Sequence, residues 1–229
     1  MSAASDKAPR LTVEGLVVAR GEAILAGPLD FSLGGGAALA VAGANGAGKS
    51  TLLRTLLGLV PAAGGRIVLD GLSAADGEPA RHLGEAAHYL AHRNAMKGAE
   101  TVLANLWFWR RFLGRPGLAP EEALERVGLG HAGALPFAYL SAGQQRRAAL
   151  ARLLVARRPV WLLDEPTAAL DTASQGLFRD IAEAHLADGG ILIAATHLPL
   201  GLAAAELKLE RPRPPANASL PADPFDTWQ

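Results

Sequence analysis

Apolar positions fall along this chain in two rhythms. Residues 11–18 and 23–33 are rich in β-forming side chains and are broken at Arg20-Gly21, which predicts two strands. After the turn Gly34-Gly35-Gly36, residues 37–41 form a continuous apolar run, the pattern of a strand buried on both faces. A Gly-rich stretch follows, then a predicted helix over about 48–59, a loop at 61–65 and strands at 66–70 and 86–91. Val102, Leu106, Trp109 and Leu113 recur at i, i+4, i+7 and i+11, so 101–113 reads as a helix. Pro116 and Pro120 break it, and 121–127 is a second helix. A helix at 144–157, a strand at 160–163, a helix at 173–186 and a strand at 191–195 complete the pattern. Strands that alternate with helices predict an α/β fold with a largely parallel sheet, and about 95–140 inserts extra helices into it. Residues 211–229 hold five prolines and little periodicity, and read as an irregular tail. The first ten residues are polar and read as frayed.

Composition narrows the function classes. With 229 residues, half of them apolar, the chain can bury one sizeable core. The absence of cysteine excludes disulfides, Cys-ligated zinc, iron–sulfur clusters and covalent c-type haem attachment. Acidic and basic side chains balance at 22 each, so there is no global basic field for nucleic acid, and no nucleic-acid partner is expected. No apolar run approaches the ~18–20 residues of a membrane span. The start MSAASDKAPR has no apolar stretch after its charges, which predicts no secretory signal. The expectation is a cytosolic chain, or one lying on the cytosolic side of a membrane.

Three stretches carry chemistry. Gly43-Ala44-Asn45-Gly46-Ala47-Gly48-Lys49-Ser50 fits G-x-x-x-x-G-K-[ST] between a predicted strand and a predicted helix, with Thr51 next in line. Glycines let backbone N–H groups curl around phosphate oxygens, and the helix N-terminus adds free donors and the positive end of its dipole. Lys49 would reach the β- and γ-phosphates of ATP, and the Ser50 hydroxyl would ligate Mg²⁺. The apolar run from Val160 ends in Asp164-Glu165, where Asp164 can hold Mg²⁺ opposite Ser50 and Glu165 can polarise an attacking water. Leu140-Ser141-Ala142-Gly143-Gln144 opens a helix that carries Arg146, Arg147 and Arg152. Ser141 suits a helix cap, and with the Gly143 N–H it also suits a second anion site.

The phosphate loop, L-S-x-G-Q, the apolar strand with Asp-Glu and a His after the next strand, in that order, resemble the ATP-binding subunit of ABC transporters. The resemblance covers residues 11–210, with 211–229 as tail. It implies a P-loop NTPase of the ABC ATPase type: a RecA-like parallel sheet core, an N-terminal antiparallel β subdomain and an inserted helical subdomain over about 95–157. It assigns Asp171 to the loop that couples two sites of a dimer, and His197 to the γ-phosphate contact. It also implies a homodimer in which ATP lies between Lys49 of one chain and Ser141, Gly143 and Gln144 of the other. Two positions depart from the family pattern. Arg20 stands where an aromatic residue usually stacks on adenine; its planar guanidinium could stack instead, or it could serve only as a turn residue. His92 stands where a glutamine usually contacts Mg²⁺ and water, and a neutral imidazole can accept a similar contact.

Within that family, 89–97 followed by 100–109, 141–171 and 189–197 resemble the haem-exporter ATP-binding protein of bacterial cytochrome c maturation, the CcmA family. This implies an ATPase at the cytoplasmic face of the bacterial inner membrane, paired with an integral CcmB-like permease subunit and haem-handling membrane proteins. It would drive haem export, or release of haem from its chaperone, without ligating haem itself. An ABC subunit for another substrate is the rival reading. An ABC ATPase acting on DNA or ribosomes is a further one, although the chain lacks the tandem domains, coiled coils or basic extensions usual there. Trp109 lies on the apolar stripe and is expected in the core, whereas Trp107 and Phe108 lie off it and suit an interface with a membrane subunit. His88 and His92 are expected on a strand and a loop, not on one helical face, so no metal site is expected from the pair.

Overall fold

The computed structural model describes residues 8–210, so the expected Pro-rich tail at 211–229 lies outside the described residues. In chain order the elements are β1 (Arg10–Arg20), β2 (Ala23–Gly34), β3 (Ala38–Ala42), α1 (Lys49–Leu56), β4 (Gly64–Asp70), β5 (Ala87–Leu90), α2 (Val102–Leu113), α3 (Pro120–Arg126), α4 (Ala142–Leu154), β6 (Val160–Asp164), α5 (Thr172–Ala187), β7 (Ile191–Ala195) and β8 (Ala205–Lys208). Short 3-10 turns stand at Leu83–Glu85, Gly130–Ala132 and Phe137–Tyr139.

β1 pairs antiparallel with β2 and β4 in a three-stranded sheet of order β2-β1-β4. Its buried residues are Leu11 and Val13, then Leu16 and Val18. The parity therefore changes midway, and a strand of period two can keep one face inward only by taking in an extra residue there. The pairing register shifts between Val13 and Leu16, and Gly15 sits in the shift at φ 58°. Its N–H donates to Asp30 Oδ1 at 2.7 Å, which gives the displaced backbone donor a partner.

The second sheet has five parallel strands in the order β5-β6-β7-β3-β8. Every residue of β6 and β7 is buried. Their side chains alternate between two cores. Val160, Leu162, Ile191 and Ile193 pack with α1 (Leu52, Leu53, Leu56) under the antiparallel sheet. Trp161, Leu163, Leu192 and Ala194 pack with Phe178 and Ile181 of α5, with α4, and with Leu106 and Leu124 of the inserted helices. Because all five strands run the same way, the chain leaves β3, β5, β6 and β7 at one edge of the sheet, where an open parallel sheet forms its crevice.

Some boundaries differ from the expected ones. α1 stops at Leu56, because the Leu59 and Val60 N–H groups both turn back to the Arg54 carbonyl, at 2.9 and 3.3 Å. α4 stops at Leu154, where the chain straightens and Ala156 bridges to Pro116. β8 is not among the expected strands: Ala205-Glu206-Leu207-Lys208 alternates over only four residues, and its pairing with β3 defines it. Trp109, expected in the core, lies at its margin, only half-buried against it; its indole Nε1 donates to the Ala95 carbonyl at 2.9 Å, and the Arg152 guanidinium lies 4.6 Å from the ring centroid. Trp107 and Phe108 are exposed, and Phe112, not singled out by the stripe, is more exposed still and stacks on Phe108. No helix among the described residues is long and apolar enough to cross a membrane.

A column of rings runs through the second core. His185 lies flat on Trp161 with centroids 3.9 Å apart, and His88 meets the edge of the same indole. The His88 Nε2–H donates to the Ala156 carbonyl at 2.8 Å. Burial pushes His88 down to about 3, helped by Arg152 and Arg158 and only partly offset by that hydrogen bond. Burial likewise pushes His185 down to about 4. Well above pH 6.5 both rings are neutral in folded and unfolded chain alike. Below it the unfolded chain takes up protons that the fold refuses, so stability is lost from pH 6.5 down to those lower values. At pH 5 the loss is about 2 kcal/mol per histidine. The melting temperature is thus expected to fall between pH 7 and pH 5, and less steeply in His185→Phe, which keeps the stacking on Trp161. Parallel pH profiles for the two proteins, followed by circular dichroism, would remove the buried neutral imidazole as the cause.

Candidate active site

The loop between β3 and α1 builds the floor of the site. α1 begins at Lys49 on Gly48, which has φ 96° and caps the helix with no side chain. A Cβ at Gly48 would stand 3.0 Å from Leu25 Cβ, so the position is restricted by space as well as by backbone conformation. The first N–H groups of α1 thus meet no capping side chain and are donors for an anion at the positive end of the helix. Lys49 is only 8% exposed. Its ammonium donates to the Gly43 carbonyl at 2.7 Å and reaches the Ala44 carbonyl at 3.5 Å, which fixes the charge inside the curl of the loop.

A cavity of about 480 Å³ opens at the edge of the parallel sheet. Asn45, Gly46, Gly48, Lys49, Ser50 and Thr51 line it from the loop and α1. Arg20 lines it from the end of β1, His92 from the segment after β5, and Asp164 and Glu165 from the end of β6. Gly43, Ala44 and Ala47 do not line it. The first two act through the carbonyls that hold Lys49, and buried Ala47 closes the loop with an N–H to the Ala44 carbonyl at 3.0 Å.

Glu165 is held from two sides. Its backbone is left-handed, φ 49°, which is rare for a residue with a side chain. Its N–H donates to the Ala195 carbonyl at 2.8 Å, which ties the end of β6 to the end of β7. Its Oε2 lies 2.9 Å from Nδ1 of His197. His197 therefore joins the site through Glu165, without lining the cavity itself. Asp164 is 5% exposed at the last position of β6.

The remaining sequence candidates lie elsewhere. Ser141 and Gln144 form a reciprocal capping box on α4: the Ser141 hydroxyl accepts from Gln144 N at 3.3 Å, and Gln144 Oε1 accepts from Ser141 N at 2.9 Å. Asp171 caps α5 by accepting from Ser174 N at 2.8 Å, a bond that holds its carboxyl below the usual range. A Cβ on Gly143 would stand 3.2 Å from the Ala169 carbonyl, so the start of α4 and the segment before α5 are neighbours. Ser141, Gly143, Gln144 and Asp171 all lie off the cavity.

Sequence reasoning missed the other lining residues, among them Arg54, Leu25 and Val60. Arg54 had a usable signal, since it stands one helical turn beyond Ser50 on the same face. No Phe, Tyr or Trp lines the cavity, so its Arg20 end offers a guanidinium and aliphatic surface where a base would lie.

A family model described as "ABC transporter" matches residues 26–168. A Mesorhizobium japonicum protein named "Cytochrome c biogenesis ATP-binding export protein CcmA" is 53% identical over 201 residues, 87% of this chain and 98% of that one. A protein of the same name from Rhizobium meliloti is 54% identical over 202 residues, 86% of this chain and 95% of that one. A solved structure described as an inward-facing conformation of a metal-chelate type ABC transporter superposes with a TM-score of 0.70 at 27% identity, covering 89% of this chain and 80% of that one.

Proposed function

This chain belongs to the ABC transporter family of ATP-binding subunits, and from that premise we propose that it hydrolyses ATP to drive a membrane complex of cytochrome c biogenesis that exports haem or releases it from its chaperone. One observation carries the enzymatic half: Lys49, Ser50, Asp164 and Glu165 share one cavity, with His197 bonded to Glu165. The names and high identity of the relatives from Mesorhizobium japonicum and Rhizobium meliloti carry the pathway.

The phosphates of ATP lie on the first turn of α1, where backbone N–H groups and the Lys49 ammonium balance their charge. Glu165 accepts the proton of the attacking water, and His197 at 2.9 Å fixes the orientation of that carboxylate. Among the described residues no group of three or more His, Cys, Asp or Glu side chains could cage a metal ion. The donor set present, the Ser50 hydroxyl and the Asp164 carboxylate with His92 on the same cavity, suits a cation that draws its other ligands from phosphate and water. Mg²⁺ fits that description, and when bound it would neutralise charge developing on the phosphate oxygens.

The reading extends to partners. Ser141, Gly143, Gln144 and Asp171 stand off the cavity, as expected of groups that serve a second copy's ATP in a head-to-tail homodimer. Trp107, Phe108 and Phe112 expose an aromatic patch on α2, beside a cavity of about 400 Å³ lined by Met96, Lys97 and Phe108, and this face suits an integral CcmB-like permease. Docking there places the chain on the cytoplasmic face of the bacterial inner membrane, with haem handled by other chains.

Cells in which the chain carries Lys49→Ala are expected to lose holo-cytochrome c, measured by haem staining of membrane fractions. Normal holo-cytochrome c in those cells would reject the pathway and favour an ABC subunit for another substrate. Genes for small haem-handling membrane proteins beside this one would support it.

A further inference from the structure

The helix that opens at Ser141 carries a buried cation to which the hydrolytic reading gives no task. Arg146 is 5% exposed. One terminal nitrogen donates to the carbonyls of Asp164 and Glu165, both at 2.7 Å, and its Nε donates to the Pro166 carbonyl at 3.2 Å. The other terminal nitrogen donates to the Ala91 carbonyl at 3.0 Å and to Asn94 Oδ1 at 3.2 Å. Burial pulls the guanidinium down to about 10, partly offset by the nearby Asp164 and Glu165 carboxylates, so it stays charged at neutral pH.

The two limbs meet different parts of the site. Carbonyls 164–166 wrap around the guanidinium where the backbone turns left-handed at Glu165. A side-chain-bearing residue persists in that conformation only where its surroundings over-determine it. The Ala195 carbonyl holds one side of the Glu165 peptide and Arg146 the other. The second limb reaches residues that flank His92, which lines the cavity. The other arginines of α4 do neither: Arg147 bonds the Val127 and Gly128 carbonyls, and Arg152 bonds the Tyr89 carbonyl beneath Trp109. Five contacts from one planar fork are beyond a lysine, which has one nitrogen.

We infer that Arg146 is a positioning residue for hydrolysis: it holds the Glu165 turn and the His92 segment to α4, so that the placement of Glu165 depends on how α4 is seated. This rests on the reading of Glu165 as the group that activates water. The test is a double-mutant cycle on the full-length chain, with kcat, ATP KM and melting temperature read for Arg146→Gln, Glu165→Gln and the pair. Arg146→Gln is expected to lower kcat at least about thirtyfold with KM within about threefold, and to add almost nothing when Glu165 is already Gln. Arg146→Lys is expected to fall between wild type and Arg146→Gln, and it carries the same cycle if Arg146→Gln melts below the assay temperature. A kcat near wild type, or an equal fractional loss in the Glu165→Gln background, would overturn the inference. A wild-type chain that turns over no more ATP than Lys49→Ala would instead overturn the proposed function.

Discussion

Lys49→Ala is expected to abolish ATP turnover, lowering phosphate release by about a thousandfold or more. Lys49 is the cation of the loop itself, held on the Gly43 and Ala44 carbonyls. It is buried enough that its charge acts through little water. Alanine removes the charge proposed to offset the transferred phosphate, and no other lysine lines the cavity. Arg20 and Arg54 line it too, but from the end of β1 and from a turn further along α1, outside the curl that the glycines make. The loss should come without collapse of the fold, because Lys49 joins no ion pair among the described residues and its carbonyl partners can bond water. Wild-type phosphate release from this variant would remove the phosphate-loop assignment.

Glu165→Gln is expected to lower hydrolysis by about a hundredfold or more while ATP binding is retained. The substitution keeps shape. A glutamine oxygen can still face His197 Nδ1, and the backbone bond to Ala195 is untouched. It removes the charge proposed to draw a proton from water. With ATP bound and not cleaved, an ATP-joined dimer should accumulate, visible as a doubled mass by size-exclusion chromatography with light scattering. A monomer in saturating ATP would count against the sandwich of Lys49 and Ser141.

Much of this site is local in sequence, and therefore legible there. The phosphate loop is one short string between a strand and a helix, and Asp164-Glu165 ends an apolar run with no polar residue before it. What was hidden depends on distance along the chain. His197 reaches Glu165 only because β6 and β7 are adjacent and parallel, a pairing that neither segment states alone. The contacts of Arg146 span 55 residues to Ala91, and three arginines on one helix do not say that two of them, Arg146 and Arg152, turn inward or which one meets Glu165. The change of parity in β1 is written in the sequence as Leu11, Val13, Leu16 and Val18, yet it reads as a bulge only once both neighbouring strands are present. β8 shows the other limit, since an edge strand of four residues is too short for its alternation to stand out, and backbone pairing with β3 defines it.

That last strand sets when the site can exist. β3, which carries the phosphate loop at its end, is synthesised early, but its two neighbours are β7 and β8. A chain leaving the ribosome holds the whole G-x-x-x-x-G-K-S string for some 140 residues before either flanking strand emerges. Until then the loop has no rigid strand beneath it, and Glu165 has neither Ala195 nor His197 to hold it. Nucleotide binding is thus tied to near-completion of the fold, so an unfinished chain has no competent motor with which to spend ATP.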